Sequence, residues 1–212
     1  MSNPHQMILA IECAVSGGSL SLLLNGVEFA NWVGTAVKSR AEDLLPEIEK
    51  LMSGNGVNKF DINQIAVSTG PGSFTGIRIG IATALGLKMG LNASLSSVSV
   101  LYTIGRAYAG KHKRSLVAVP AGRGAVCLQR YSFERDSLIA HDEPVSADLE
   151  DFVRIIRDET ETAFLVHSDL TDCFDKGSVY QDIGTNLARL VGIEAWKNPT
   201  RRESPLFISK AF

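Results

Sequence analysis

The most constraining feature of the sequence is a glycine-rich segment at residues 68–80, which reads Ser-Thr-Gly-Pro-Gly-Ser-Phe-Thr-Gly-Ile-Arg-Ile-Gly. It follows a short apolar run at residues 65–69 and precedes a long apolar stretch that ends near Gly90. This order predicts a buried strand, a tight turn at residues 70–72, and a helix with Ser73 as its N-cap. The segment therefore specifies a strand, a sharp turn and a long helix in succession.

One interpretation of this turn is an anion site, because free backbone N–H groups and the helix dipole converge at a helix N-terminus. The familiar phosphate motifs are nevertheless incomplete. A Walker A loop requires Gly-Lys-Ser/Thr, whereas Gly76 is followed by Ile77 and Arg78. A dinucleotide fingerprint requires a third glycine at the position of Thr75.

A second interpretation comes from the helical periodicity of the segment. At about 100° per residue, one side of the helix collects small residues, namely Gly76, Gly80, Thr83, Gly86 and Gly90. The opposite side collects larger or apolar residues, namely Ile77, Ile81, Ala84 and Leu85. Each interior glycine costs about 1 kcal/mol relative to alanine, so such a face indicates close backbone approach. The face either packs within the chain or docks another subunit.

The rest of the chain predicts a two-lobed α/β protein. Strands are expected at 7–13, 19–24, 27–33, 94–98, 116–119, 125–133 and 163–167. Helices are expected at 39–52, after a capping box at Ser39, and at 100–109, 147–157 and 183–191. Meandering strands followed by alternating strands and helices occur twice. We therefore predict an N-terminal lobe over residues 1–103 and a smaller C-terminal lobe over residues 104–212.

Composition and charge exclude several classes of protein. The 212 residues are 45% hydrophobic and 21% charged, which is ordinary for a globular chain. The net charge of -2 disfavours unaided nucleic-acid binding. Cys13, Cys127 and Cys173 form neither a disulfide framework nor a metal-binding spacing, which favours a reducing cytosol. The apolar region at 77–91 contains two charges, Arg78 and Lys88, and three glycines, and it is expected to be too short and broken to span a bilayer.

Residues 69–80 resemble the signature of the TsaB (YeaZ-like) family. The resemblance extends to residues 8–13, to Ser39-Arg40 with Leu44-Leu45-Pro46, and to residues 204–210. Members of that family are the non-catalytic partner in the bacterial complex that attaches threonylcarbamoyl to adenosine 37 of tRNA. The resemblance implies an α/β, two-lobed actin-like or Hsp70-like ATPase (ASKHA) fold, with mixed sheets flanked by helices.

The resemblance also implies an accessory scaffold role in a cytoplasmic complex. The expected partners are a TsaD-like catalytic subunit and a TsaE-like ATPase, with tRNA bound only through the complex and a homodimer formed in isolation. No catalytic residue, no metal and no tightly bound cofactor are expected on this chain, and ATP and magnesium belong to the partners. The predicted interface comprises Leu44, Leu45, Ile48, Ser73, Phe74, Thr75, Gly76, Ile79, Gly80, Thr83, Gly86 and Gly90.

Two departures from the family pattern bear on nucleotide binding. The family usually has Asp-Thr or Asp-Ser after the first strand, whereas this chain has Glu12-Cys13. The chain also has Pro120-Ala-Gly-Arg-Gly124 where the family has an aspartate-containing turn. Glu12, Ser16 and Gly17 are therefore candidates for a vestigial nucleotide site, and weak or absent intrinsic ATPase activity is expected.

Two alternatives to the scaffold role stay open. One is a self-contained nucleotide-binding enzyme of the actin-like fold, a small ATPase or kinase. The other is an inactive glycoprotease-like homologue, although Ser73 is better explained as a helix cap and Cys13 as a core residue. The basic clusters at 111–114 and 201–202 are either solvated loops or contacts to tRNA phosphates within a complex.

Overall fold

The computed structural model describes residues 5–35, 40–108, 111–122, 124–159, 162–175 and 179–205, with residues 40–42 described by their backbone. The predicted capping box at Ser39, the residue Arg123 of the second-lobe turn, and residues 206–210 of the family resemblance lie outside these ranges.

Along the chain, groups of consecutive strands are followed by helices and single strands. The strands are β1 Met7–Glu12, β2 Ser19–Leu24, β3 Val27–Val33, β4 Gln64–Ser68, β5 Ser94–Val98, β6 Arg114–Gly122, β7 Ala125–Glu134, β8 Ser137–Ala140, β9 Val145–Asp148, β10 Ala163–Val166 and β11 Tyr180–Asp182. The helices are α1 Arg40–Gly54, α2 Phe74–Leu91, α3 Val100–Tyr108, α4 Leu149–Asp158 and α5 Leu187–Lys197. Two 3₁₀ helices span Lys59–Asp61 and Ser168–Cys173.

The first sheet has the strand order β3-β2-β1-β4-β5. Strands β1 to β3 form an antiparallel meander, and β4 and β5 run parallel to β1. The β2–β3 hairpin turns at Asn25 and Gly26, which both have positive φ, as the Asn-Gly pair predicts. Helices α1 and α2 bury one face of this sheet and α5 buries the other.

The second sheet repeats the order of the first. It runs β8-β7-β6-β10-β11, again three antiparallel strands followed by two parallel ones, with β9 paired to β7. Residues of α3 and the start of α5 pack on one face, and α4 packs on the other. The predicted two-lobed α/β architecture is confirmed, and the boundary at residue 103 stays a prediction.

The sequence misplaced the last helix. It was expected at 183–191, but α5 spans Leu187–Lys197 with Asn186 as its N-cap, whose side chain accepts a hydrogen bond from the Arg189 N–H. The residues before it extend the second sheet instead, because β11 pairs with β10 and the Ile183 N–H donates to the Val166 carbonyl. Short strands such as β11 carry too few residues for a periodic signal.

The C-terminal segment returns to the first sheet. Ala188, Val191 and Ala195 of α5 pack in one cluster with Ile8 and Ala66. The chain then continues along β5, where the Ser96 hydroxyl donates to the Pro199 carbonyl (2.6 Å) and the Ser97 hydroxyl to that of Glu203 (3.1 Å). Helix α5 and the segment after it therefore complete the lobe that contains the first sheet.

Candidate protein-protein interface

The turn before α2 is clamped onto the loop that follows β1. The Ser73 N–H donates to the Ala14 carbonyl at 2.7 Å, and a Cβ placed on Gly72 would lie 2.2 Å from the same oxygen. Only glycine permits this approach. The Ser73 hydroxyl accepts from the Gly76 N–H at 3.3 Å, which confirms Ser73 as the N-cap. These N–H groups bond within the chain, so the geometry does not favour the phosphate-loop interpretation.

The inner side of α2 packs on the first sheet. Gly76, Ile77, Gly80 and Ala84 are its buried residues. A Cβ on Gly80 would lie 3.3 Å from Cys13 Cβ and 3.7 Å from a Val67 methyl carbon. The close approach inferred from the glycines therefore occurs here against the chain's own sheet. Gly76 and Gly80 are buried in this conformation, and their contact with a partner stays a prediction.

The predicted small-residue face does not exist as one surface. Gly86 and Gly90 are exposed, and a Cβ on either would meet no atom within 4 Å. Leu85, expected on the side opposite the glycines, is exposed as well. The error arises because α2 carries apolar or small residues nearly all round, so periodicity alone does not identify the side that faces the core.

The outer side of α2 presents an apolar surface that we call the α2 face, formed by Phe74, Leu85 and Met89. These side chains are 50%, 44% and 82% exposed, respectively. The Arg78 guanidinium lies against the same surface, with its central carbon 3.7 Å from the Phe74 ring centroid. Large apolar side chains grouped on one helix surface are typical of an interaction site.

Helix α2 has the length that the sequence predicts, because it begins directly after its N-cap Ser73 and ends one residue beyond Gly90. Its length and composition alone meet the minimum for a membrane span, a criterion that core helices of globular proteins also meet, so the expectation that this segment does not span a bilayer stays a prediction. Of the 18 residues of α2, 22% are fully buried inside the protein. A core helix of a globular protein is mostly buried, whereas α2 is an apolar helix with exposed apolar side chains on its outer side.

Helix α1 lies beside α2 and contributes mainly to the core. Leu44 and Ile48 are only 3% and 2% exposed and pack with Ala84 of α2 in the first-sheet cluster. In this conformation both side chains face the core, and their contact with a partner stays a prediction. Leu45, by contrast, is exposed on α1. Pro46 is accommodated inside the helix, as the family resemblance implied.

The remaining predicted interface residues fall into two groups. Ser73, Ile79 and Thr83 are half-buried, and Thr75, Gly86 and Gly90 are exposed. The sequence analysis missed Leu85 and Met89. A signal was available in the spacing of Phe74, Arg78, Leu85 and Met89, which recur at four- and seven-residue intervals and so share a helix face.

Two of the three candidate nucleotide residues, Glu12 and Gly17, serve the local backbone. The buried Glu12 carboxylate accepts from the N–H groups of Ala14 (2.5 Å) and Val15 (3.0 Å) and from the Ser68 hydroxyl (3.2 Å). Gly17 has φ +76°, and its Cβ would lie 2.3 Å from the Gly34 carbonyl oxygen, while Ser16 is half-buried. The loop N–H groups of Ala14 and Val15 are thus bonded to a carboxylate rather than open to a phosphate.

The described cysteines and the buried histidine do not form a hydrolytic site. Burial raises the pKa of the Cys127 thiol to about 11, and Cys13 lies in the first-sheet core as predicted. His167 is buried, its Nδ1 accepts from the Asp169 N–H at 3.2 Å, and burial lowers its pKa. Within the described ranges, no group of three metal-binding side chains comes together.

Comparison with known proteins places the chain in a family. The family profile described as "TsaD: tRNA N6-adenosine threonylcarbamoyltransferase" matches residues 34–156, more than half of the chain. The tRNA threonylcarbamoyladenosine biosynthesis protein TsaB of Escherichia coli is 33% identical over 133 residues, covering 62% of this chain and 57% of that protein. TsaB of Bacillus subtilis is 26% identical over 200 residues, covering 92% and 84%.

The fold agrees with these matches. YeaZ from Pseudomonas aeruginosa superimposes with a TM-score of 0.69 at 22% identity, covering 96% of this chain and all of that one. The ethanolamine utilization protein EutJ from Carboxydothermus hydrogenoformans superimposes with a TM-score of 0.56 at 13% identity, covering 92% and 91%. The expected ASKHA-like α/β fold is thereby confirmed. The chain belongs to the family of tRNA threonylcarbamoyladenosine proteins that includes TsaD, and within it the chain is TsaB-like.

Proposed function

We propose that this chain is an accessory subunit that binds and activates a TsaD-like catalytic subunit during threonylcarbamoylation of adenosine 37 of tRNA. The observation that carries the proposal is the α2 face, a surface of large, exposed apolar side chains on a helix of whose residues 22% are fully buried. The names of the TsaB relatives support the same process. The match spans 57% of the E. coli relative, and we propose that this chain shares the process in which that protein acts.

The α2 face is suited to a helix-to-helix contact. Full burial of a leucine, methionine or phenylalanine side chain stabilises by about 1.5–3 kcal/mol, and these three side chains begin from 44% to 82% exposure. Leu45 on the neighbouring helix extends the apolar character to α1. In the absence of the catalytic subunit, the same face pairs with a second copy across a two-fold axis, giving the expected homodimer.

The chemistry resides on the partners in this proposal. Glu12 holds the loop after β1 by bonding to its N–H groups, so the chain offers a rigid support rather than a phosphate cradle. ATP and magnesium belong to the TsaD-like and TsaE-like subunits, and the complex is cytoplasmic. Partner binding activates catalysis by favouring one conformation of the catalytic subunit, which requires only differential contact with its two states.

The test uses a charge placed on the α2 face. Met89→Glu introduces a carboxylate where the side chain is 82% exposed, so the isolated fold is unaffected. Val179→Glu, at 87% exposure outside α2, is the matched control. Calorimetric titration with the TsaD-like subunit of the same organism is expected to show at least tenfold weaker binding for Met89→Glu alone.

A second measurement connects binding to the modification. In cells depleted of the native protein, the unaltered chain and Val179→Glu are expected to restore threonylcarbamoyladenosine in digested tRNA, and Met89→Glu is not. Normal binding by Met89→Glu would overturn the assigned interface. Tight Mg-ATP binding with turnover by the isolated chain, without any restored modification, would favour the self-contained enzyme instead.

A further inference from the structure

A basic groove runs between α3 and α5, on elements separate from the α2 face. Its cavity volume is about 350 Å³. Its lining comprises Thr103, Arg106, Ala107, Tyr108, Lys111, Arg189, Leu190, Ile193, Glu194 and Lys197. The set contains four cations and one carboxylate, which is an unusual local balance in a chain whose net charge is -2.

The one carboxylate in the lining is already neutralised. Glu194 is buried and its Oε1 accepts from Arg201 Nη1 at 3.2 Å and from Asn198 Nδ2 at 2.8 Å. Arg189 lies 3.9 Å from a Glu28 oxygen. Within the described ranges, no carboxylate lies within 4 Å of the charged groups of Arg106, Lys111 or Lys197. Three cations of the groove are thus available to an external anion.

The positions of the cations match an extended polyanion. Lys197 ends α5, and Arg189, which also lies near Glu28, is eight residues before it, about 12 Å along the helix axis. Arg106 and Lys111 lie at the end of α3 and just beyond it. A mononucleotide carries its phosphates at one point, whereas a nucleic-acid strand carries a row of them. Cations spread along α5 and around the end of α3 therefore suit several backbone phosphates better than a single one.

The groove also provides surface for a sugar or a base. The Tyr108 ring is half-buried, with Lys111 Nζ 5.2 Å from its centroid, and Leu190 and Ile193 supply apolar lining. Cations beside an aromatic ring are the combination by which proteins hold RNA strands with little sequence preference.

We propose that the α3–α5 groove binds the phosphate backbone of RNA. This goes beyond the proposed scaffold role, because it gives the subunit a direct contact with RNA where the sequence led us to expect one only through the complex. Contacts to phosphate position a nucleic acid without reading its bases. The groove accordingly contributes orientation and affinity, and base recognition lies elsewhere.

The experiment measures binding of a fluorescein-labelled RNA stem-loop to the isolated full chain by anisotropy. Each neutralised phosphate contributes about -0.9 to the slope of log K against log salt, so three cations predict about -2.7. Affinity should then fall about 40-fold between 50 and 200 mM KCl. In Lys111→Gln/Lys197→Gln the slope should fall to about -0.9, with at least tenfold weaker binding at 50 mM.

Lys59→Gln/Lys88→Gln is the matched control, because it removes the same charge at exposed positions outside the groove. It should bind RNA as the unaltered chain does, and circular dichroism melting verifies that both double variants are folded. Equal loss of binding in both, no RNA binding at 50 mM salt, or binding only to an acidic protein would overturn the proposal. Met89→Glu should retain RNA binding, so failure of the groove and failure of the α2 face are distinguishable.

Discussion

Gly80→Leu tests where α2 makes its close approach. Replacing a glycine inside a helix with leucine improves intrinsic helix stability by about 0.8 kcal/mol. Here the first added carbon would already lie 3.3 Å from Cys13 Cβ and 3.6 Å from its sulfur, and three more carbons must follow. Overpacking a well-packed core costs about 1–3 kcal/mol, and this site belongs at the upper end of that range.

The expected net effect is a loss of about 2 kcal/mol in the free energy of unfolding, which lowers Tm by about 4–8 °C for a chain of this size. Gly86→Leu is the matched control on the same helix, where a Cβ meets no atom within 4 Å. Its helix gain is unopposed, so Tm should rise by about 2–3 °C. Differential scanning calorimetry of both variants decides the matter. An unchanged or raised Tm for Gly80→Leu would refute the assigned packing.

Three further predictions concern the loops and the buried histidine. Glu12→Ala leaves two N–H groups without their acceptor and should cost at least about 2 kcal/mol in urea unfolding; an unchanged midpoint would contradict this. Gly72→Ala forces a carbon to 2.2 Å from the Ala14 oxygen, so soluble yield and Tm should both fall, and wild-type values would exclude the clamp. Because burial lowers the His167 pKa below its unfolded value of 6.5, the unfolded state binds the extra proton. The free energy of unfolding should therefore decrease as the pH is lowered below about 6.5, by at most about 1.4 kcal/mol per pH unit. A His167→Gln variant with the same dependence on pH would disprove this.

Local signals in the sequence were sufficient for the strands and turns near the glycine-rich segment. The Asn25-Gly26 hairpin and the Ser73 cap follow from backbone chemistry within four residues, and both are present. The α/β class follows from the alternation of elements. These predictions succeed because each depends on neighbours in the chain rather than on tertiary packing.

The orientation of α2 required information that its own sequence does not contain. A helix with apolar residues on several sides buries the side that fits its support, and here the supports are Cys13 and Val67 on other elements. The α3–α5 groove was missed for a related reason. Arg106 and Lys197 are about 90 residues apart in the sequence, and only the return of α5 to the first lobe brings them to one cavity.

The return of the C-terminal segment also constrains the order of assembly during synthesis. One face of the first sheet, including Ala10 and Ala66, stays uncovered until Ala188, Val191 and Ala195 have left the ribosome. The hydrogen bond that the Gln64 side-chain amide donates to the Ala195 carbonyl likewise cannot form before then. Contacts this distant in sequence slow folding, and exposed apolar surface on a nascent chain promotes aggregation. A chain whose synthesis stalls before residue 187 would thus expose a sheet covered on one face only, because α5 has not yet been made.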